Sequence, residues 1–123
     1  MKLEQPSRLL FLVASAFTLF MALSPKPPHM PTDRFGDKFE HVLAFATLTF
    51  LARLAFPRAS AGRILERLSF FGALIEVFQN IPALHRDCDW HDWLADTLAI
   101  AVTLALCELG HRWALSRKGL NLR

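Results

Sequence analysis

The sequence predicts an all-α polytopic membrane protein, an antiparallel bundle of four transmembrane helices. Three observations predict it: an apolar composition, four apolar blocks of nearly equal length, and prolines that cluster where the chain must turn and are absent from the apolar interiors. Of the 123 residues, 53% are hydrophobic and 20% charged, with eleven Phe and no Tyr. That is richer in apolar side chains than a water-soluble domain of this length usually is. The length suits a single domain over 1–123.

The blocks run over approximately 9–25, 39–56, 68–84 and 93–109. Each would span about 25 Å as a helix, the short end of what a bilayer core requires. A soluble four-helix bundle is the alternative, but its helices need a polar face. Residues 9–23 contain only Ser15 and Thr18 as polar residues, and residues 42–52 only Thr47 and Thr49. Pro25, Pro27, Pro28 and Pro31 fill the first connection, Pro57 closes the second block and Pro82 lies near the end of the third, as expected of residues that break helices. The first block follows Lys2 and Arg8 and has the look of a secretory signal, but the exit Ser24-Pro25-Lys26-Pro27-Pro28 offers no convincing cleavage site. The block is therefore expected to remain as the first helix.

Orientation follows from the 14 Lys and Arg. Lys2, Arg8, Arg53, Arg58, Arg63, Arg67, Arg112, Arg117, Lys118 and Arg123 fall on one side of the four crossings, and Lys26, Arg34, Lys38 and Arg86 on the other. The positive-inside rule then places both termini in the cytoplasm. The net charge of +3 and pI near 9.3 do not indicate nucleic acid, because the positives are dispersed between apolar blocks rather than gathered on one face. Cys88 and Cys107 fall toward opposite faces, so no disulfide is expected. Trp90, Trp93 and Trp113 fall near the interfaces, where indole rings anchor helices.

In this topology the unusual polar residues converge on the outer half. Asp37, Lys38 and His41 open the second helix, Glu76 and Gln79 lie in the third, and Arg86, Asp87, Asp89, His91, Asp92 and Asp96 follow. Asp37 and His41, Glu76 and Gln79, and Asp92 and Asp96 are spaced three or four apart, so each pair shares a helix face. A carboxylate facing lipid is costly, which turns these faces into the bundle.

A structural reading accounts for part of this cluster. Asp37 and Asp92 stand where first-turn acids favour the helix dipole, and Lys38 and Arg86 would neutralise Asp37, Glu76 or Asp96. Glu76 and Asp96 lie inside apolar stretches, where an ionisable residue is by default a candidate for function. His41, His91 and the carboxylates supply metal-type donors, but no recognised linear ligand spacing is present, and no metal or cofactor is expected. Acid–base work by Glu76 or Asp96 with His41 is chemically feasible. No obvious nucleophile completes it, so catalysis is left open.

Three segments resemble one family. Asp37-Lys38-Phe39-Glu40-His41 resembles the Asp-Lys-x-x-His signature of VanZ-like proteins. Residues Gly72, Glu76 and Gln79, followed by Pro82 and Arg86, are similar to that family's Gly-x-x-x-Glu-x-x-Gln, Pro and Arg pattern. Asp92-Trp93-Leu94-Ala95-Asp96 is similar to its Asp-x-x-Ala-Asn, with Asp96 at the usual Asn and Ala99 where Gly is common. The first block matches the family's leading helix in position only. The resemblance implies a small bacterial membrane protein of the cell envelope. Resistance to the glycopeptide teicoplanin is associated with the founding member and is not transferred by membership.

The expected function is binding of, or action on, cell-envelope or lipid-linked material at the outer leaflet, in a polar cleft formed by Asp37, Lys38, His41, Glu76, Gln79, Arg86, Asp92 and Asp96. Membrane lipids are the general partners, and a homodimer is consistent with so slim a bundle. The alternatives are a structural or accessory subunit, in which the same residues form an ion-pair network, and a small transporter.

Overall fold

The computed structural model describes residues 4–24, 36–82 and 90–119. Arg86, Asp87, Cys88 and Asp89 lie outside the described residues, as does the proline-rich first connection, and the side chain of Asp37 is not described. The described chain is all-helical, with α1 over Glu4–Leu23, α2 over Asp37–Ala55, α3 over Ala61–Gln79 and α4 over Trp90–Arg117.

Local chemistry sets each boundary. Pro6 sits in the first turn of α1, where a missing N–H leaves no hydrogen bond broken. Gly36 precedes α2 with φ of 92°, a conformation that L side chains rarely adopt. At the far end of α2, Phe56 leaves helical geometry (φ −131°, ψ 67°) because Pro57 follows it, while its N–H still donates to Ala52 O at 2.8 Å. Ser60 caps α3 by accepting from the Arg63 N–H at 3.1 Å. Asn80 closes α3 shortly before Pro82.

Helix boundaries and apolar blocks therefore differ. α3 begins at Ala61 rather than Leu68, because the cap starts it and Arg63, Glu66 and Arg67 are good helix formers outside the apolar block. It stops at Gln79, short of residue 84. α4 runs on to Arg117 rather than ending at Leu109, since Glu108 and Arg112 pair across one turn at 3.0 Å and carry the helix past Gly110.

Two of the four helices, α1 and α4, are long and apolar enough to cross a membrane. α2 and α3 are as long as α1 to within one residue but carry more charge, with Asp37, Lys38, Glu40 and Arg53 on α2 and Arg63, Glu66, Arg67 and Glu76 on α3.

Helices consecutive in the chain run antiparallel, so α2 and α4 run parallel. α2 packs chiefly on α4 and α1, and α3 on α4. Arg8 Nε near the start of α1 donates to Ala55 O at the end of α2 (3.0 Å), whereas Gln79 at the end of α3 donates to Ala22 O at the end of α1 (2.9 Å). One end of the bundle thus gathers the starts of α2 and α4 with the ends of α1 and α3. The core stripe changes character along the axis. Away from that end it is chiefly apolar, with Leu48 and Ala52 of α2, Ile64 and Leu68 of α3, and Ile100 and Leu104 of α4, and the buried Thr49 hydroxyl donates to Phe45 O. Toward that end the buried positions become Glu76, Gln79, Asp92 and Asp96.

The outside is the reverse. Leu9, Leu12, Phe17 and Phe20 of α1, Phe70 and Val77 of α3, and Leu98, Val102 and Leu106 of α4 are all more than half exposed. An apolar exterior on this scale marks a surface that meets something other than water.

Candidate functional site

The polar end is assembled from three helices, and each contributes through the helical spacing read in the sequence. His41 lies one turn above Phe45 on α2, Glu76 one turn after Gly72 on α3, and Asp92 and Asp96 on successive turns of α4. Glu76 and Asp96 are both 0% exposed. A carboxylate in such a place needs a charged or hydrogen-bonding partner.

Asp96 has one in His41. The Nδ1 atom of His41 lies 3.1 Å from Asp96 Oδ1 and 3.4 Å from Oδ2, so the ring N–H donates to both carboxylate oxygens. α3 presents no side chain beside this pair at Gly72. A Cβ on Gly72 would stand 3.1 Å from Asp96 Oδ2 and 3.4 Å from Phe45 Cζ. Gly72 therefore lets α3 close on α2 and α4 at the level of the pair.

Asp92, one turn nearer the end of the bundle, lies 3.0 Å from Lys38 Nζ. The contact is an ion pair without hydrogen-bond alignment, as Asp92 Oδ1 is a buried oxygen with no hydrogen-bond partner among the described residues. The Lys38 side chain is 57% exposed, so this cation sits on the rim. Atoms of His41, Glu76 and Asp92 come within 4.8 Å of one another, which places a nitrogen and two carboxylates around one point. Gln79 continues the α3 stripe. Its Nε2 donates to Ala22 O, while its Oε1 is buried without a hydrogen bond.

Of the residues marked in the sequence, Lys38, His41, Glu76, Asp92 and Asp96 thus meet in one centre. Gln79 borders it through a tie to α1. Asp37 begins α2 at the same end, and Arg86 lies outside the described residues. Lys38 faces Asp92, a partner not among the three acids expected for it.

A supporting layer was not marked. Trp93 Nε1 donates to Ser69 O at 3.0 Å, so this indole ties α4 to α3 rather than acting only as an interfacial anchor. Ser69 Oγ and Thr97 Oγ1 are 2.9 Å apart, and Thr97 Oγ1 also reaches Trp93 O at 3.0 Å. Thr97 has one hydroxyl proton, which Trp93 O takes, so Ser69 donates to Thr97. The signal available was a Ser and a Thr inside apolar blocks. Cys107 is a free thiol.

The arrangement gathers three carboxylates and an imidazole, with the exposed Lys38 ammonium at the rim, among helices whose outward faces are apolar. Its groups can exchange protons, hold a cation, or present Lys38 to an anion. No family model, curated protein or solved structure matches the chain.

Proposed function

We propose that the chain is a VanZ-like protein of the bacterial inner membrane, crossing the bilayer four times with both termini in the cytoplasm. In this reading the polar centre opens to the outer leaflet and binds an anionic group of lipid-linked envelope material. One observation carries the proposal: a buried polar centre drawn from α2, α3 and α4 sits inside helices whose outward faces are apolar. Such a distribution suits a protein solvated by lipid, where ionisable groups face the bundle interior and mark ligand paths.

The charges on α2 and α3 are compatible with crossing. They lie at the helix ends or, for Glu76, inside the bundle, and residues 42–52 and 68–75 carry none. At the end opposite the polar centre, Arg8 and Arg53 donate to the backbone at Ala55 and Ala59 (3.0 and 2.8 Å). Arginines gathered there fit the cytoplasmic side.

Lys38 is the group presented to the ligand. Its exposed ammonium can leave Asp92 for a phosphate oxygen, and Arg86 would add a forked contact from the adjoining segment. In nanodiscs containing polyprenyl phosphate, the wild-type protein is expected to retain that lipid in native mass spectra. Lys38→Ala and Arg86→Ala should lower its retention at least tenfold with protein yield unchanged. Equal retention by all three proteins would contradict the proposal.

The ion pairs favour a second reading, an accessory subunit held together by a buried network. Under that reading, single replacements deplete the protein and leave lipid retention per folded molecule constant.

A further inference from the structure

We propose that His41, Glu76 and Asp92 form a divalent transition-metal site, with Zn²⁺ as the favoured ion. The inference rests on side-chain geometry and does not require the lipid-binding function. The three donors come from α2, α3 and α4, and their ligand atoms all lie within 4.8 Å of one another. Bonds of about 2.1 Å to a tetrahedral ion place donors about 3.4 Å apart. The set therefore closes on a metal by side-chain movements of about an ångström.

Four further features fit a cation at this point. Glu76 is 0% and Asp92 7% exposed, so two carboxylates are held where water solvates them poorly. A neutral His41 with these two acids gives the donor set a charge of about −2, which a divalent ion balances. Asp96 holds His41 through Nδ1 at 3.1 Å, and a carboxylate behind the imidazole is the usual support of a metal-bound histidine. Asp92 Oδ1 is buried without a hydrogen bond, and its described partner is itself a cation, Lys38 Nζ at 3.0 Å.

Imidazole nitrogen with carboxylate oxygen suits zinc and its neighbours in the first transition row rather than calcium or a thiolate-bound ion. Three protein ligands leave a fourth position open, as in zinc sites that bind or activate a further ligand. Lys38 is the competing cation, since it reaches the same Asp92 oxygen at 3.0 Å. A metal bound to Asp92 would release the ammonium toward the rim. Lys38 and the ion would thus alternate on one carboxylate.

The test uses the full chain, purified in detergent without an affinity tag, stripped with chelator and equilibrated with Zn²⁺ or Co²⁺. About one equivalent of Zn²⁺ should remain after desalting, and Co²⁺ should give the intense visible bands of a four- or five-coordinate ion. Asp92→Asn and His41→Ala should weaken zinc binding at least tenfold, whereas Lys38→Ala should tighten it. If His41→Ala does not fold, Asp92→Asn and the wild-type cobalt spectrum decide. Absence of stoichiometric zinc, a cobalt spectrum like that of the hydrated ion, or equal zinc binding by wild type and Asp92→Asn would each overturn the site. The two proposals also fail separately: zinc binding without lipid retention removes the function and leaves the site, and the converse removes the site alone.

Discussion

Asp96→Ala is expected to destabilise the folded protein by about 3 kcal/mol, measured as reversible unfolding in mixed detergent followed by circular dichroism. Removing one member of a buried pair strands the other, and such losses run to about 3–5 kcal/mol. The lower end applies because ligand-type atoms of Glu76 and Asp92 remain within 4.8 Å of His41, while the volume vacated by a fully buried side chain adds a packing loss. Asp96→Asn should be much milder. An amide oxygen can still accept from His41 Nδ1. In a double-mutant cycle with His41→Ala, the combined loss should fall short of the sum by about 1 kcal/mol or more, as expected for residues in direct contact. Additive losses would mean that the 3.1 Å contact contributes nothing of its own.

The second large effect is expected at Gly72. A leucine there must displace Asp96 and Phe45 together, since its first carbon alone would stand 3.1 Å from one and 3.4 Å from the other. Neither neighbour can swing out to solvent to make room for a whole leucine side chain, as Asp96 is 0% and Phe45 1% exposed. Overpacking of this kind costs about 1–3 kcal/mol, and separating α3 from α4 should also weaken the His41–Asp96 pair. Gly72→Ala is expected to be near neutral, because about 1 kcal/mol of improved helix propensity offsets a shift of a few tenths of an ångström. Unfolding midpoints across the Gly, Ala, Leu series check this order. A Leu variant as stable as wild type would show that the helices are not closely packed at this level.

These two residues illustrate how far the sequence reads. Four helices follow from apolar blocks and proline placement, but the ends do not, since Ser60 starts α3 before its apolar block and Glu108 with Arg112 prolongs α4 beyond its own. The helical spacing of Asp92 with Asp96, and of Glu76 with Gln79, places each pair on one face. It does not say that Lys38 meets Asp92 and His41 meets Asp96, because that depends on how far α2 slides along α4. Gly72 stood out only as part of a family pattern, and its physical use appears once Asp96 is seen against it.

Trp93 read as an interface residue from its position alone, while its hydrogen bond to Ser69 depends on the rotation of α3. The meeting of His41, Glu76 and Asp92 is invisible to linear motif reading for the same reason. They are one residue from each of three helices, and no spacing along the chain records their meeting.

The central claim is that four crossings bring the polar centre to the outer face, and side-specific labelling tests it most directly. In a background with Cys88→Ser and Cys107→Ala, single cysteines would replace Lys38, at the exposed rim of the centre, and Gly62, at the start of α3. A membrane-impermeant maleimide applied to intact spheroplasts should label the Lys38→Cys protein at once and the Gly62→Cys protein only after permeabilisation. The reverse pattern, or labelling of both from the same side, would contradict the topology and with it the placement of the site.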